Sequence, residues 1–191
     1  MNPYYPAFLD LQGKECLVVG TGSLCDEKAA ALEAAGALVK RTARFDPVQA
    51  RGAFLIVADV DPDQAAEVQA FGQNQQIFVN IVDKPQFCSF ILPAVLRRGD
   101  LQIAVSTGGA SPALAGWIRQ RLESAFGSEY AVLLSELRRT RQGIRQRLTR
   151  YGDRKRFYRQ LFDEGLAETA RQGGDTAVRA RLTGALEEFR P

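Results

Sequence analysis

The run Cys16–Val19 ("CLVV") meets Gly20-Thr21-Gly22 and leads into Ser23–Ala35, an alanine-rich stretch with helical spacing that ends before Gly36. A strand, a two-glycine turn and a helix in that order confine the chain to an α/β plan. The helix carries the chain back so that the next strand lies parallel to the first. The pattern then repeats. "ALVKRTARF", "AFLIVAD" (Ala53–Asp59) and "QIFVNIVD" (Gln76–Asp83) read as further strands, and Pro62–Gly72 as a helix with Ala65, Val68 and Phe71 on one face. Strands that read as continuous apolar runs predict a parallel sheet covered on both sides.

The glycine turn has two readings. In a Rossmann-like dinucleotide fold, Gly20 makes the tight turn, and Gly22 lets a pyrophosphate approach the backbone at Gly20, Gly22, Ser23 and Leu24. The third position of G-x-G-x-x-G needs a small residue for helix–strand packing, and Cys25 occupies it. The other reading is a βα turn whose glycines serve the backbone alone. A P-loop is excluded, because Lys28 is neither preceded by Gly nor followed by Ser or Thr. The acidic residue that often ends the second strand and binds the ribose is replaced by Lys40, Arg41 and Arg44. Those cations favour a 2′-phosphate, hence NADP, or mark a lost ribose contact, or belong to a solvated edge strand.

Composition narrows the chemistry. The 191 residues contain no histidine, which excludes a Ser-His-Asp triad, a histidine base and a His-ligated zinc site. Proton transfer falls to carboxylates, lysine, tyrosine or cysteine. Three scattered cysteines, Cys16, Cys25 and Cys88, show no C-x-x-C spacing and fit a reducing cytoplasm. The N-terminus reads as no signal peptide, and no apolar run reaches the ~18 residues of a membrane span.

Three zones follow: a dinucleotide-binding domain over 1–89, a small α+β region over 90–127 and a helical domain over 128–191. The second holds the strand "LQIAVS", a Gly108–Gly109 turn and a helix over Ser111–Phe126 with Leu114, Trp117, Ile118, Leu122 and Ala125 as an apolar stripe. Ser111 before Pro112 is an N-cap with proline at the first helical position. The Gly108–Gly109 turn at that helix start suits a substrate carboxylate. In the third zone Leu133, Leu134, Leu137, Ile144 and Leu148 mark one face of a long helix. Gly173–Gly174 breaks the chain, and Asp175 caps a last helix.

Between Arg138 and Arg159 stand ten Lys or Arg residues against one acid, Asp153. Arg138, Arg141 and Arg145 share a helix face. The run reads as a solvated face, as a nucleic-acid patch lacking an aromatic platform, or as a wall attracting a polycarboxylated substrate.

Several segments together resemble the precorrin-2 dehydrogenase family, the N-terminal module of siroheme synthases. They are "YPAFLDLQGKECLVVGTGSLCDEK", "VNIVDKPQFCSFILPAVLRRGDLQIAVSTGGASPALA" and "YGDRKRFYRQLF". The resemblance implies a shortened Rossmann-like sheet, a dimerisation region and a C-terminal helical domain. It implies oxidation of precorrin-2 to sirohydrochlorin with NAD (or NADP), in some members with Fe2+ insertion, by a cytoplasmic homodimer that acts on neither nucleic acid nor membrane. Asp83 matches the family's catalytic carboxylate and Ser111 a serine near the tetrapyrrole, with Arg138 and Arg141 as candidate substrate contacts. Bottom-up, Asp83 is expected to end an internal strand, or to form the turn before Lys84–Pro85. The chain departs from the family on the cofactor side. Gly36 lies only 17 positions before Ala53, too few for the family's additional helix and strand. A chelatase without NAD, or a tetrapyrrole-binding protein without activity, are the alternatives this leaves.

Overall fold

The computed structural model describes residues 4–190. They form two compact units, one ending at Leu92 and the other beginning at Pro93. Residues 1–3, part of the segment read as lacking a leader, lie outside the described residues.

In the first unit, β1 (Glu15–Val19), β2 (Leu38–Thr42), β3 (Leu55–Ala58) and β4 (Phe78–Ile81) form a parallel sheet in the order β2-β1-β3-β4. Leu17, Val19, Ile56 and Ala58 pack with Ala65 and Val68 of α3 (Pro62–Gln75). The alternate residues, Cys16, Val18, Leu55 and Val57, pack with Cys25, Ala29 and Leu32 of α1 (Ser23–Glu33). Side chains alternate with period two, and both faces are covered, so the strands read as unbroken apolar runs. The expected sheet is present. Only α2 (Pro47–Ala50) lies between β2 and β3, capped by Asp46, whose carboxylate accepts the Val48 N–H at 2.8 Å.

One expectation about this unit is corrected. Asp83 does not end an internal strand: β4 is an edge of the sheet and stops at Ile81. Asp83 itself sits in a left-handed turn, φ 55°. Beyond β4 the chain folds back on the strand. Cys88 Sγ accepts the Ile81 N–H at 3.1 Å, and Ser89 Oγ accepts the Val79 N–H at 2.8 Å. Side chains therefore close an edge that a fifth strand would otherwise cover.

The second unit opens with an antiparallel hairpin, β5 (Ala94–Arg98) and β6 (Leu101–Val105), followed by α4 (Pro112–Ala125). The sequence predicts β6 alone. β5 was missed because "AVLRR" has three apolar residues and no alternation. Helices α5 (Glu129–Arg147), α6 (Tyr151–Asp163) and α7 (Leu166–Glu188) bury Leu133, Ile144, Phe157, Leu161, Leu166, Val178 and Leu182 together. The expected break at Gly173–Gly174 is a kink inside α7, at Gly174 (φ 62°, ψ −153°), so Asp175 does not start a separate helix.

Two carboxylates inside this helical core are held by arginines. Buried Glu136 of α5 accepts two hydrogen bonds from Arg179 of α7, at 2.9 and 3.0 Å, and buried Glu129 accepts one from Arg171 at 2.8 Å. These bonds hold both carboxyls below the usual glutamate range. A carboxyl whose folded pKa is lowered contributes stability above its unfolded value, about 4.3 for glutamate, and loses it as pH falls through the folded value. Glu136→Gln is therefore expected to lower the Tm by several degrees at pH 7, a deficit that shrinks below about pH 4. Thermal melts across that range check it, and a deficit independent of pH would contradict it.

Candidate functional site

At the carboxyl end of β1 the two glycines play different parts. A Cβ on Gly20 (φ 119°) would stand 2.5 Å from the Asp59 carbonyl oxygen and 2.9 Å from Cys25 Sγ. Gly20 is thus where β1, β3 and α1 close on each other, and Cys25 fills the small-residue position behind it, buried. Gly22 (φ 93°) is the N-cap of α1, and a Cβ there would meet nothing within 4 Å. α2, α3 and α4 all start with a capping Asp or Ser followed by proline. α1 has no side-chain cap, so its first-turn N–H groups face the open space beside Gly22.

Beside this turn, the Gly20 N–H donates to the Thr42 carbonyl at 2.8 Å. Thr42 Oγ1 is buried without a hydrogen-bond partner among the described residues. Such an orphan hydroxyl at the end of β2 fits a ligand with its own donors and acceptors. Sequence reasoning passed over it. The basic residues of β2 are partly neutralised, Lys40 by Glu15 at 2.7 Å and Arg41 by Asp26 in the first turn of α1.

Asp83 stands on the same carboxyl edge of the sheet, two strands from β1, which at the usual strand spacing is about 10 Å along the edge. Its carboxylate is exposed and makes no hydrogen bond to a described residue. The turn around it is well tied. Lys84 Nζ donates to the Val60 carbonyl at 2.9 Å, and the Cys88 thiol lies 3.3 Å from the Ile81 carbonyl and 3.4 Å from that of Lys84. Burial raises the pKa of Cys16, Cys25 and Cys88, so all three thiols stay protonated and none is an activated nucleophile. No cluster of three or more potential metal ligands occurs among the described residues.

In the second unit, Ser111 Oγ accepts the Leu114 N–H at 3.1 Å, the expected cap. Gly108 and Gly109 form the preceding turn, with positive φ. Thr107 Oγ1 accepts the Ser111 N–H at 3.1 Å and donates to the Ser111 carbonyl at 3.0 Å, tying that turn. The stripe on α4 is not covered: Leu114 is 46% and Trp117 54% exposed. Arg138 and Arg141 line a groove between α5 and α6 of about 920 Å³. Tyr151, Tyr158 and Phe162 line it too, an aromatic surface the linear sequence had not suggested.

Three family models tile the chain: NAD(P)-binding over residues 7–47 and 41–94, the sirohaem biosynthesis protein central region over 98–125, and the sirohaem synthase dimerisation region over 129–186. The chain belongs to the siroheme synthase family. The siroheme synthase of Nitrosococcus oceani is 34% identical over 206 residues, covering 96% of this chain and 44% of that protein. The siroheme synthase of Nitrosomonas europaea is 34% identical over 208 residues, with coverage of 96% and 44%. The chain therefore spans less than half the length of these relatives. A solved structure titled SirC, precorrin-2 dehydrogenase, superposes with a TM-score of 0.62 at 21% identity, covering 97% of this chain and all of the other, which shows a shared fold.

Both aligned lengths exceed the 191 residues of this chain, so these siroheme synthases carry residues that it lacks. The NAD(P)-binding model matches in two pieces that meet at 41–47, the start of the short β2–β3 link. The missing helix and strand belong there. Among the described residues, no helix is long and apolar enough to cross a membrane.

Proposed function

We propose that this member of the family is a precorrin-2 dehydrogenase, an oxidoreductase that converts precorrin-2 to sirohydrochlorin with NAD in siroheme biosynthesis. The observation that carries the reading is the open cradle at Gly22, at the head of a helix without a side-chain cap. The pyrophosphate would lie against Gly20, Gly22, Ser23 and Leu24, and the orphan Thr42 hydroxyl would face the adjacent ribose. When bound, the nicotinamide supplies a hydride acceptor. Lys40 and Arg41 already have carboxylate partners, which favours NAD over a 2′-phosphorylated cofactor.

Asp83 is the proton acceptor in this reading. Oxidation removes a hydride and a proton from the tetrapyrrole, and the proton passes to a carboxylate oxygen of Asp83. Its exposed carboxylate, on a turn tied by Lys84 and Cys88, is free to meet the substrate without rebuilding the backbone. The Gly108–Gly109 turn and Ser111 would receive a substrate carboxylate, and Arg138 and Arg141 others. A second reading, a chelatase taking Fe2+ as substrate, draws on the short β2–β3 link. It keeps Asp83 as acceptor for the pyrrole protons and dispenses with NAD. Within the proposed scheme, residues 1–89 bind the dinucleotide, 90–127 dimerise and 128–191 complete the helical domain. The reducing cytoplasm is the proposed location, in keeping with three free thiols.

The dimer is argued from α4. Leu114 and Trp117 expose apolar surface that a second copy would bury in an isologous contact. Trp117→Asp is expected to turn a dimer into a monomer at micromolar concentration by light scattering, and a wild-type monomer would contradict the proposal.

Anaerobic mixing of the chain with precorrin-2 and NAD tests the activity. Equal amounts of NADH and sirohydrochlorin are expected. Sirohydrochlorin formation at the uncatalysed rate would overturn the reading, and iron insertion without NADH formation would select the chelatase.

A further inference from the structure

The basic run reads differently once α5 and α6 are packed together. α5 supplies Arg138, Arg141 and Arg145 to one groove, and α6 supplies Arg154, Lys155 and Arg159 to the same groove. Carboxylates neutralise few of these cations. Asp100 pairs with Arg138 at 2.8 Å, and Asp163 with Arg159 at 3.6 Å. Arg154 donates instead to the Leu148 and Thr149 carbonyls, at 2.8 and 2.6 Å. Arg141, Arg145 and Lys155 make no ion pair or hydrogen bond among the described residues, although all three line the same cavity. The rest of the lining is apolar and aromatic. Leu134 and Leu137 come from α5, and the Tyr158 and Phe162 rings from α6 lie within 16° of parallel, their centroids 6.2 Å apart. Phe162 is half exposed, open to a ligand rather than spent in the core.

We propose that this groove docks a flat, conjugated polycarboxylate, with ring surface against Leu137, Tyr158 and Phe162 and carboxylates on Arg141, Arg145 and Lys155. The proposal rests on the tetrapyrrole reading above and deepens it: Arg138 and Arg141 become one wall of a defined site, with Lys155 and the α6 aromatics added. The volume, about 920 Å³, lies at the upper end of the usual range for small-molecule sites and suits a macrocycle. Apolar floor and cationic rim together match a molecule whose charges sit at the edge of a planar ring. Arginine also stacks on conjugated faces while it binds carboxylates. A second copy of the chain fits the groove poorly. A two-fold contact would set the same cations against each other, and the two acids in the lining already have partners.

The test uses the full chain and uroporphyrin, a fluorescent porphyrin with eight carboxylates, titrated at low and moderate salt. Saturable quenching that weakens with salt is expected. The double variant Arg141→Glu with Lys155→Glu should lose about five-fold in affinity, as expected for reversing two exposed charges. The conservative pair Arg141→Lys with Lys155→Arg should retain it. Double-Glu binding equal to wild type, in a variant with unchanged circular dichroism, overturns the proposal. Displacement of the porphyrin by a single-stranded oligonucleotide at lower concentration than by unlabelled uroporphyrin also overturns it, assigning the groove to nucleic acid. Groove-dependent porphyrin binding in a chain that makes no NADH from precorrin-2 supports the docking site while defeating the dehydrogenase reading, so the two can fail separately.

Discussion

Asp83→Asn is expected to lower the conversion of precorrin-2 to sirohydrochlorin by about 10²-fold or more, the usual share of a positioned proton acceptor. Asparagine keeps the shape and polarity of the side chain and tolerates the left-handed φ of 55° at this turn, so the fold should be undisturbed. The ties that hold the turn come from Lys84, Cys88 and Ser89, none of which uses the Asp83 carboxylate. NAD affinity should hardly change, since Asp83 stands two strands from the glycine turn. Iron insertion, where it occurs, should fall in parallel. Steady-state turnover with a thermal melt separates the outcomes. Normal turnover refutes the assignment, and a variant that melts early points to a turn-forming residue instead.

Gly22→Asp is expected to weaken NAD binding by over ten-fold, because it sets a carboxylate where a pyrophosphate would meet the helix N-terminus. The space around Gly22 makes this variant informative. A side chain there meets no protein atom within 4 Å, so the fold pays only for the backbone conformation at φ 93°. Gly20 behaves differently. Even alanine there would drive a Cβ into the Asp59 carbonyl, so Gly20→Ala should damage stability before it reports on binding. Affinity by fluorescence titration and Tm by circular dichroism distinguish the two glycines. Unchanged NAD affinity in folded Gly22→Asp would contradict a dinucleotide at this turn.

What the linear sequence reveals here follows from the range of the interactions involved. β1, the glycine turn, α1 and the Ser111–Pro112 cap are local and legible, since strand period, helix spacing and capping are set within a few residues. The shortened β2–β3 link was visible as a simple count of positions. The edge status of β4 was not, because it depends on where the chain goes after Asp83, and there Cys88 and Ser89 take ladder positions that a strand would have filled. Nor were the Glu136–Arg179 bonds, 43 positions apart, or the meeting of Arg141 with Lys155 across two helices. Thr42 carries no sequence signal. Its hydroxyl matters only because the end of β2 is buried beside Gly20.

The central claim is that a sheet shortened to four parallel strands still holds a nicotinamide dinucleotide at Gly20–Leu24. Titration of the wild-type chain against NADH and NADPH, followed by the intrinsic fluorescence of the cofactor, tests it most directly. The account predicts a saturable change for NADH, tighter than for NADPH, that Gly22→Asp weakens. No fluorescence change with either cofactor would contradict it.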